Sequence, residues 1–167
     1  MFLTRIIVAI VLALSIFSLC ACAISRPASG ASSMIASDQA IAQTLDRFHA
    51  AASNADFDAY FGAFTSDGVF LGTDATERWT VEEFKAYCKP YFDQGKGWTY
   101  LPRQRHISVN GNVAWADEVL ENEKYGLCRG TAYLIHDPSR GWLISRYSLA
   151  FLIPNDVAAE ATALGKK

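Results

Sequence analysis

The chain has 167 residues, 15 basic and 17 acidic side chains, and a formal charge of −2 at pH 7. That length suits one domain of ordinary size around a single core, and the near-balanced charge, with no basic stripe, argues against nucleic acid as a partner. Aromatic residues make up 13% and charged residues 19%, which favours a well-buried fold.

The first 22 residues read as a secretory signal peptide: Arg5 supplies a positive start, Ile6 to Leu19 form an apolar run, and Leu19-Cys20-Ala21-Cys22 closes it. The run falls short of the roughly 18 to 20 apolar residues of a spanning helix. The closing box resembles the bacterial lipoprotein consensus, with a small residue directly before the lipidated cysteine. Cys22 follows Ala21 and fits, whereas Cys20 follows the bulky Leu19. The expectation is lipidation at Cys22 and a membrane partner reached through that lipid. Ala23 lacks the acidic signal for inner-membrane retention, so the expected location is the periplasmic side of a bacterial envelope, on the outer membrane.

Residues 23–37, rich in Ser, Ala, Gly and Pro, read as a disordered tether. Asp38 then opens an amphipathic helix whose residues Ile41, Leu45, Phe48 and Ala52 share one face. A second, shorter helix follows Asp56, with Phe57, Phe61 and Phe64 on one side, until Ser66-Asp67-Gly68 breaks it. Val69 to Gly72 reads as a short strand. Thr80-Val81-Glu82-Glu83 is a capping-box pattern starting a third helix through Phe84, Tyr87, Cys88 and Tyr91, which Pro90 should kink or shorten before Gly95 and Gly97 end it. From Trp98 the pattern changes to strands near 99–109, 112–121, 126–136 and 142–153, separated by turn chemistry. Helices followed by a meander predict an α+β domain over 38–157, with the helices on one face of a curved antiparallel sheet and a C-terminal tail at 158–167.

Three segments carry a resemblance: Phe64-Thr65-Ser66-Asp67-Gly68-Val69-Phe70, Gly111-Asn112-Val113-Ala114-Trp115 and Gly141-Trp142-Leu143-Ile144. With the element order, they resemble the nuclear-transport-factor-2-like superfamily, in its SnoaL-like and ketosteroid-isomerase-like branches, over about residues 38 to 155. The resemblance implies a cone-shaped α+β barrel, or cystatin-like roll, with a conical pocket on the concave side of the sheet, and a second subunit covering the convex side. It implies no single activity, because the fold carries isomerases, cyclases, dehydratases, scaffolds and binding domains.

A three-residue loop at Asn110-Gly111-Asn112 would pair 109 with 113, and a four-residue loop at Asn122 to Tyr125 would set Glu118 opposite Arg129. Pairing 136 with 142 then sets Thr131 opposite Tyr147. The expected pocket face carries His106, Ser108, Ala114, Ala116, Glu118, Arg129, Thr131, Ser145 and Tyr147. The expected outer face carries Ile107, Val109, Val113, Trp115, Val119, Leu134 and Ile144. A one-residue change in a loop flips a whole strand, and a three-residue second loop would put Asp117 against Arg129 instead.

Candidate ligand-binding residues are therefore Trp79, Tyr87, Trp98, Glu118, Arg129, Thr131 and Tyr147, each of which also has a structural reading, as core, wall or ion pair. Asp74 and His106 are the candidate catalytic groups, with Arg129 and Tyr147 holding a developing negative charge. Asp74 could equally cap a turn. Ketosteroid isomerases use a carboxylate base and an oxyanion site containing a tyrosine. The aligned register puts Phe48 where that tyrosine would stand and Gly72 near the base, so the isomerase chemistry is not supported. The expected function is binding of a small aromatic or carboxylate-bearing molecule by a homodimeric, envelope-anchored domain, the alternatives being an acid–base enzyme and a structural dimeric module. No metal-spaced Cys/His cluster or glycine-rich phosphate loop points to a metal or cofactor, and Cys88 and Cys128 read as free, buried thiols.

Overall fold

A computed structural model describes residues 29–165, with side chains from residue 37 onward. The signal segment, Cys20, Cys22 and the tether up to residue 28 lie outside the described residues. Helix α1 spans Ser29–Ser53, so it starts earlier than the expected opening at Asp38 and takes in the second half of the expected tether. Its predicted face is buried: Ile41 and Leu45 are fully enclosed, and Phe48 and Ala52 nearly so. Helix α2, Phe57–Gly62, starts on Asp56, whose side chain accepts the Ala59 N–H. Helix α3, Val81–Phe92, starts on the predicted capping box, Thr80 and Glu83 exchanging side-chain and backbone bonds. It runs through Pro90, which costs only one bond in the last turn.

The sheet has six strands: β1 Phe64–Leu71, β2 Arg78–Thr80, β3 Leu101–Asn110, β4 Val113–Asn122, β5 Gly126–Asp137 and β6 Gly141–Phe151. Their order is β2-β1-β6-β5-β4-β3, antiparallel except for the β1–β6 pair. Strand β1 starts at Phe64, before the expected Val69, because Phe64 already pairs with Ile144. Ser66-Asp67-Gly68 fall in the stretch where the β1–β6 register shifts. Two elements were not anticipated from the sequence: the edge strand β2 and helix α4, Ala158–Leu164, in the expected C-terminal tail. Cys88 and Cys128 are free and buried, as expected. Among the described residues no helix is long and apolar enough to cross a membrane.

The registers differ from expectation at three places, each by one residue. The first turn holds only Gly111 and Asn112, since Asn110 pairs with Val113. This flips β3, placing Ile107 and Val109 against the core and His106 and Ser108 outside. The second turn holds three residues, since Asn122 pairs with Gly126, so Glu118 faces Gly130 rather than Arg129. In β6 the pairs Leu134–Ile144 and Tyr133–Arg146 leave Ser145 as an extra residue, a bulge that lets Ile144 and Tyr147 both face inward. The same bulge sets Thr131 opposite Ser148 instead of Tyr147, although the starting pair His136–Trp142 is as expected. The outer face consequently carries Val113, Trp115, Tyr133 and Ile135, all exposed, while Leu134 and Ile144 belong to the core.

Candidate functional site

Strand β4 sends Ala114, Ala116, Glu118 and Leu120 into the core. The carboxylate of Glu118, on a residue only 1% exposed, accepts hydrogen bonds from two directions: from Arg105 Nε at 2.7 Å on the neighbouring strand, and from His49 Nε2 at 2.8 Å on α1. Arg105 extends the network to the α1 backbone at Ala42 O, 3.1 Å, and to Asp46 Oδ1, 2.7 Å. Burial alone would pull the Arg105 pKa down, but its bonds to Asp46 and the charge of Glu118 outweigh that and hold the guanidinium charged. The four side chains clamp α1 across the meander and leave each buried charge paired.

Beside this network stands Tyr147, 3% exposed. Its hydroxyl and that of Thr65 are the buried side-chain oxygens without a hydrogen-bond partner among the described residues. Burial, and then the negative charge of Glu118, push the Tyr147 phenol well above its ordinary pKa. It therefore stays protonated and keeps a hydrogen to donate. Gly130 makes room for it: a Cβ there would lie 2.3 Å from the Tyr147 oxygen. The ring itself is fixed against Phe48 at 4.9 Å and Phe70 at 5.7 Å between centroids.

His49 and Tyr147 line the floor of a narrow space of about 20 Å³, enough for one water-sized group. Phe70, Trp98, Tyr100 and Leu149 line both this floor and a wider chamber of about 280 Å³ that opens outward past Trp79, Phe84, Tyr87 and Tyr125. Stacked rings run from floor to rim, Phe70 on Phe84 at 4.1 Å, Phe84 on Trp79 at 5.3 Å and Trp79 on Tyr87 at 4.7 Å. Trp98 is held over the chamber because its backbone N–H bonds to Ala52 O, with Gly97 passing so close to that carbonyl that a Cβ would not fit.

The structure thus brings together Trp79, Tyr87, Trp98 and Tyr147 from the expected site, with Glu118 behind them in the network. It separates the others. Arg129 lies on the outer face, 45% exposed at its side chain, and bonds Asp117 at 3.2 Å, the alternative that a three-residue second turn implies. Thr131 and His106 also sit on that face, both paired with Asp117 in the sheet. Asp74 is exposed in the β1–β2 turn, where its carboxylate accepts from the Thr76 hydroxyl and N–H at 2.6 and 2.8 Å. Those bonds hold its pKa below the ordinary carboxylate value, which makes it a poor base. His49, Arg105, Tyr100 and Gly130 were missed. His49 does carry a signal, lying four residues after Leu45 on the buried stripe of α1.

No group of metal-binding side chains occurs among the described residues. Among curated proteins, none is detectably similar to the chain. Similar solved structures include an NTF2-like protein of unknown function from Pseudomonas putida KT2440, 14% identical with a TM-score of 0.62 over 74% of this chain and 92% of that one. Another is an NTF2-like protein with a cystatin-like fold from Novosphingobium aromaticivorans, 18% identical with a TM-score of 0.58 over 82% and 94%. A third is a putative ketosteroid isomerase from Shewanella frigidimarina NCIMB 400, 16% identical with a TM-score of 0.53 over 68% and 96%. At these identities the likeness shows a shared cystatin-like α+β fold. A family model for the SnoaL-like domain matches residues 41–154, a span that takes in the second half of α1, all of α2, α3 and the sheet, and the aromatic chamber, and the chain belongs to the SnoaL-like domain family.

Proposed function

We propose that the domain binds a small aromatic molecule carrying one hydroxyl or carbonyl oxygen, its ring between the stacked side chains of the chamber and its oxygen on Tyr147. The observation that carries this reading is the buried Tyr147 hydroxyl without a partner at the end of an aromatic-walled space, since a buried polar group left unpaired is costly unless something completes it. A carboxylate-bearing ligand has less support: Arg129 faces away, and Arg105 is committed to Glu118 and Asp46. Titration with 2-naphthol, followed by tryptophan fluorescence, should show saturable quenching through Trp79 and Trp98. Naphthalene, lacking the oxygen, should bind about 2- to 10-fold more weakly. Equal affinity for the two would count against the reading.

A second reading, acid–base catalysis in the same chamber, is favoured by the His49–Glu118 pair. Because a carboxylate only accepts, Nε2 is the donor in this bond, and in a neutral ring Nδ1 is then the nitrogen that can accept. If the pair works as a base, a ketone such as 2-tetralone should take up deuterium beside its carbonyl faster with the protein than in the same deuterated buffer without it. His49→Gln should abolish that excess, and no excess exchange would leave binding alone.

The domain is further proposed to be anchored in a bacterial envelope through Cys22, on the strength of the Leu19-Cys20-Ala21-Cys22 box. Cys22→Ala should abolish incorporation of labelled lipid and Cys20→Ala should not. Homodimerisation through the outer sheet face has support in the adjacent pairs Trp115–Tyr133 and Val113–Ile135, whose members are 39–53% exposed. Sedimentation of the whole chain in detergent should give a dimer that Val113→Glu disrupts, and a monomeric wild type would refute it.

A further inference from the structure

The turns at 111–112 and 138–140 lie at the end of the meander opposite the 123–125 turn beside the aromatic rim. At that far end the two turns and α1 enclose a second cleft, of about 520 Å³. Its wall on α1 includes Gln43, Thr44 and Arg47, and its opposite wall includes His136 of β5, Arg140 of the turn that follows and Trp142 of β6. Among the described residues no carboxylate lines it. On the sheet, Arg103 pairs with Glu121, Arg105 with Glu118 and Asp46, and Arg129 with Asp117, while Arg146 donates to the carbonyls of Asp67 and Ser145 and Arg78 forms no ion pair among the described residues. Arg47 and Arg140 form no ion pair among the described residues, in a chain whose net charge is negative.

These two guanidinium groups are nevertheless held in place. Arg47 donates one bond to Thr44 Oγ1 at 3.1 Å, and Arg140 donates one to Gly62 O at 2.8 Å. Each has five N–H donors, so most remain for a ligand. The His136 ring is set edge-on to Trp142, centroids 5.2 Å apart, and its backbone N–H bonds to Asn112 O across the cleft wall at 2.8 Å. The nearest acidic group in sequence, Asp137, is turned into its own loop, accepting from Ser139 Oγ and from the N–H groups of Ser139 and Arg140. The Ser139 bonds do most to lower its pKa, the Arg140 charge is the weakest of the lowering causes, and the two side chains form no ion pair.

We propose that this cleft is a phosphate-binding site, distinct from the aromatic chamber and independent of the function assigned to it. Arg47, His136 and Arg140 come from three different elements, so their donors reach the cleft from different directions. A tetrahedral oxyanion presents oxygens to match, whereas a planar carboxylate is satisfied by a single arginine fork. The phosphate can belong to a soluble phosphate-bearing molecule or to an anionic lipid headgroup, the shared chemistry being a phosphate oxyanion held by two unpaired arginines.

Isothermal titration of the whole chain with inorganic phosphate at physiological ionic strength should show saturable binding. The Arg47→Gln/Arg140→Gln double variant should weaken it at least about ten-fold, the effect of losing charge-assisted bonds, and Arg129→Gln should leave it unchanged. Arg140→Lys keeps the charge but not the fork and should fall between, and thermal melts confirm that each variant folds. Cosedimentation of wild type and double variant with phosphatidylglycerol and with zwitterionic phosphatidylcholine vesicles separates the sources, the zwitterionic vesicles measuring the binding that the apolar N-terminal segment supplies by itself. Loss in the double variant of the excess binding to phosphatidylglycerol assigns a headgroup, and an unchanged excess with lost phosphate binding assigns a soluble ligand. The proposal is overturned if phosphate gives no saturable heat, if the double variant binds as the wild type does, or if acetate competes equally well.

Discussion

Glu118→Ala should destabilise the domain by about 3 to 5 kcal/mol in denaturant unfolding, because it strands Arg105 and His49 in the interior. Both donors point at a carboxylate on a residue that is 1% exposed, so water cannot replace it without opening the contact between α1 and the meander. Arg105 keeps Asp46, whose side chain is 62% exposed, a weaker substitute in higher dielectric. The Glu118→Ala/Arg105→Ala double variant should cost less than the sum of the two single ones. Asp117→Ala and Arg129→Ala, on the outer face, should couple by at most about 1 kcal/mol. Additive losses for Glu118 and Arg105 would mean that the pair does not act as a unit.

Gly130→Ala should be the most damaging single-methyl change in the sheet. The new carbon would lie 2.3 Å from the Tyr147 oxygen and 2.9 Å from Leu120 Cδ1, and the tyrosine ring cannot swing away from Phe48 and Phe70 without disturbing the stack. Overpacking of this kind costs about 1 to 3 kcal/mol, and it also moves the hydroxyl from the chamber floor, so binding of 2-naphthol should be lost. Adding Tyr147→Phe removes the closest clashing atom and should restore part of the stability but not the affinity. If the two substitutions are additive, Gly130 does not set the position of Tyr147.

The buried stripe of α1, the capping box of α3 and the four-strand meander were legible because each rests on local periodicity or local bonding. Trp79, Tyr87 and Trp98 were legible as wall residues from the large aromatic groups that flank the strands and helix, whereas Tyr147 was set on the inner face by a pairing with Thr131 that the bulge replaces. The network was not. Glu118 was placed on the correct face, but its partner depended on turn length, and Asn110-Gly111-Asn112 reads equally as a two- or three-residue turn. The two-residue solution turns Arg105 inward and His106 outward. The bulge at Ser145 has no local signature, since it arises where β6 must match β5 and β1 together. His49 sat in plain view on an apolar stripe, and its role appears only once Glu118 is brought beneath it.

The Tyr147→Phe variant tests the central claim most directly, through stability and affinity measured on the same protein. A buried hydroxyl without a partner is a liability to the empty domain and an asset to the liganded one. The variant should therefore be as stable as the wild type or up to about 1 kcal/mol more stable, while its affinity for 2-naphthol falls to that for naphthalene. A variant that loses stability yet binds 2-naphthol as tightly as the wild type would show that the hydroxyl holds the fold together and takes no part in binding.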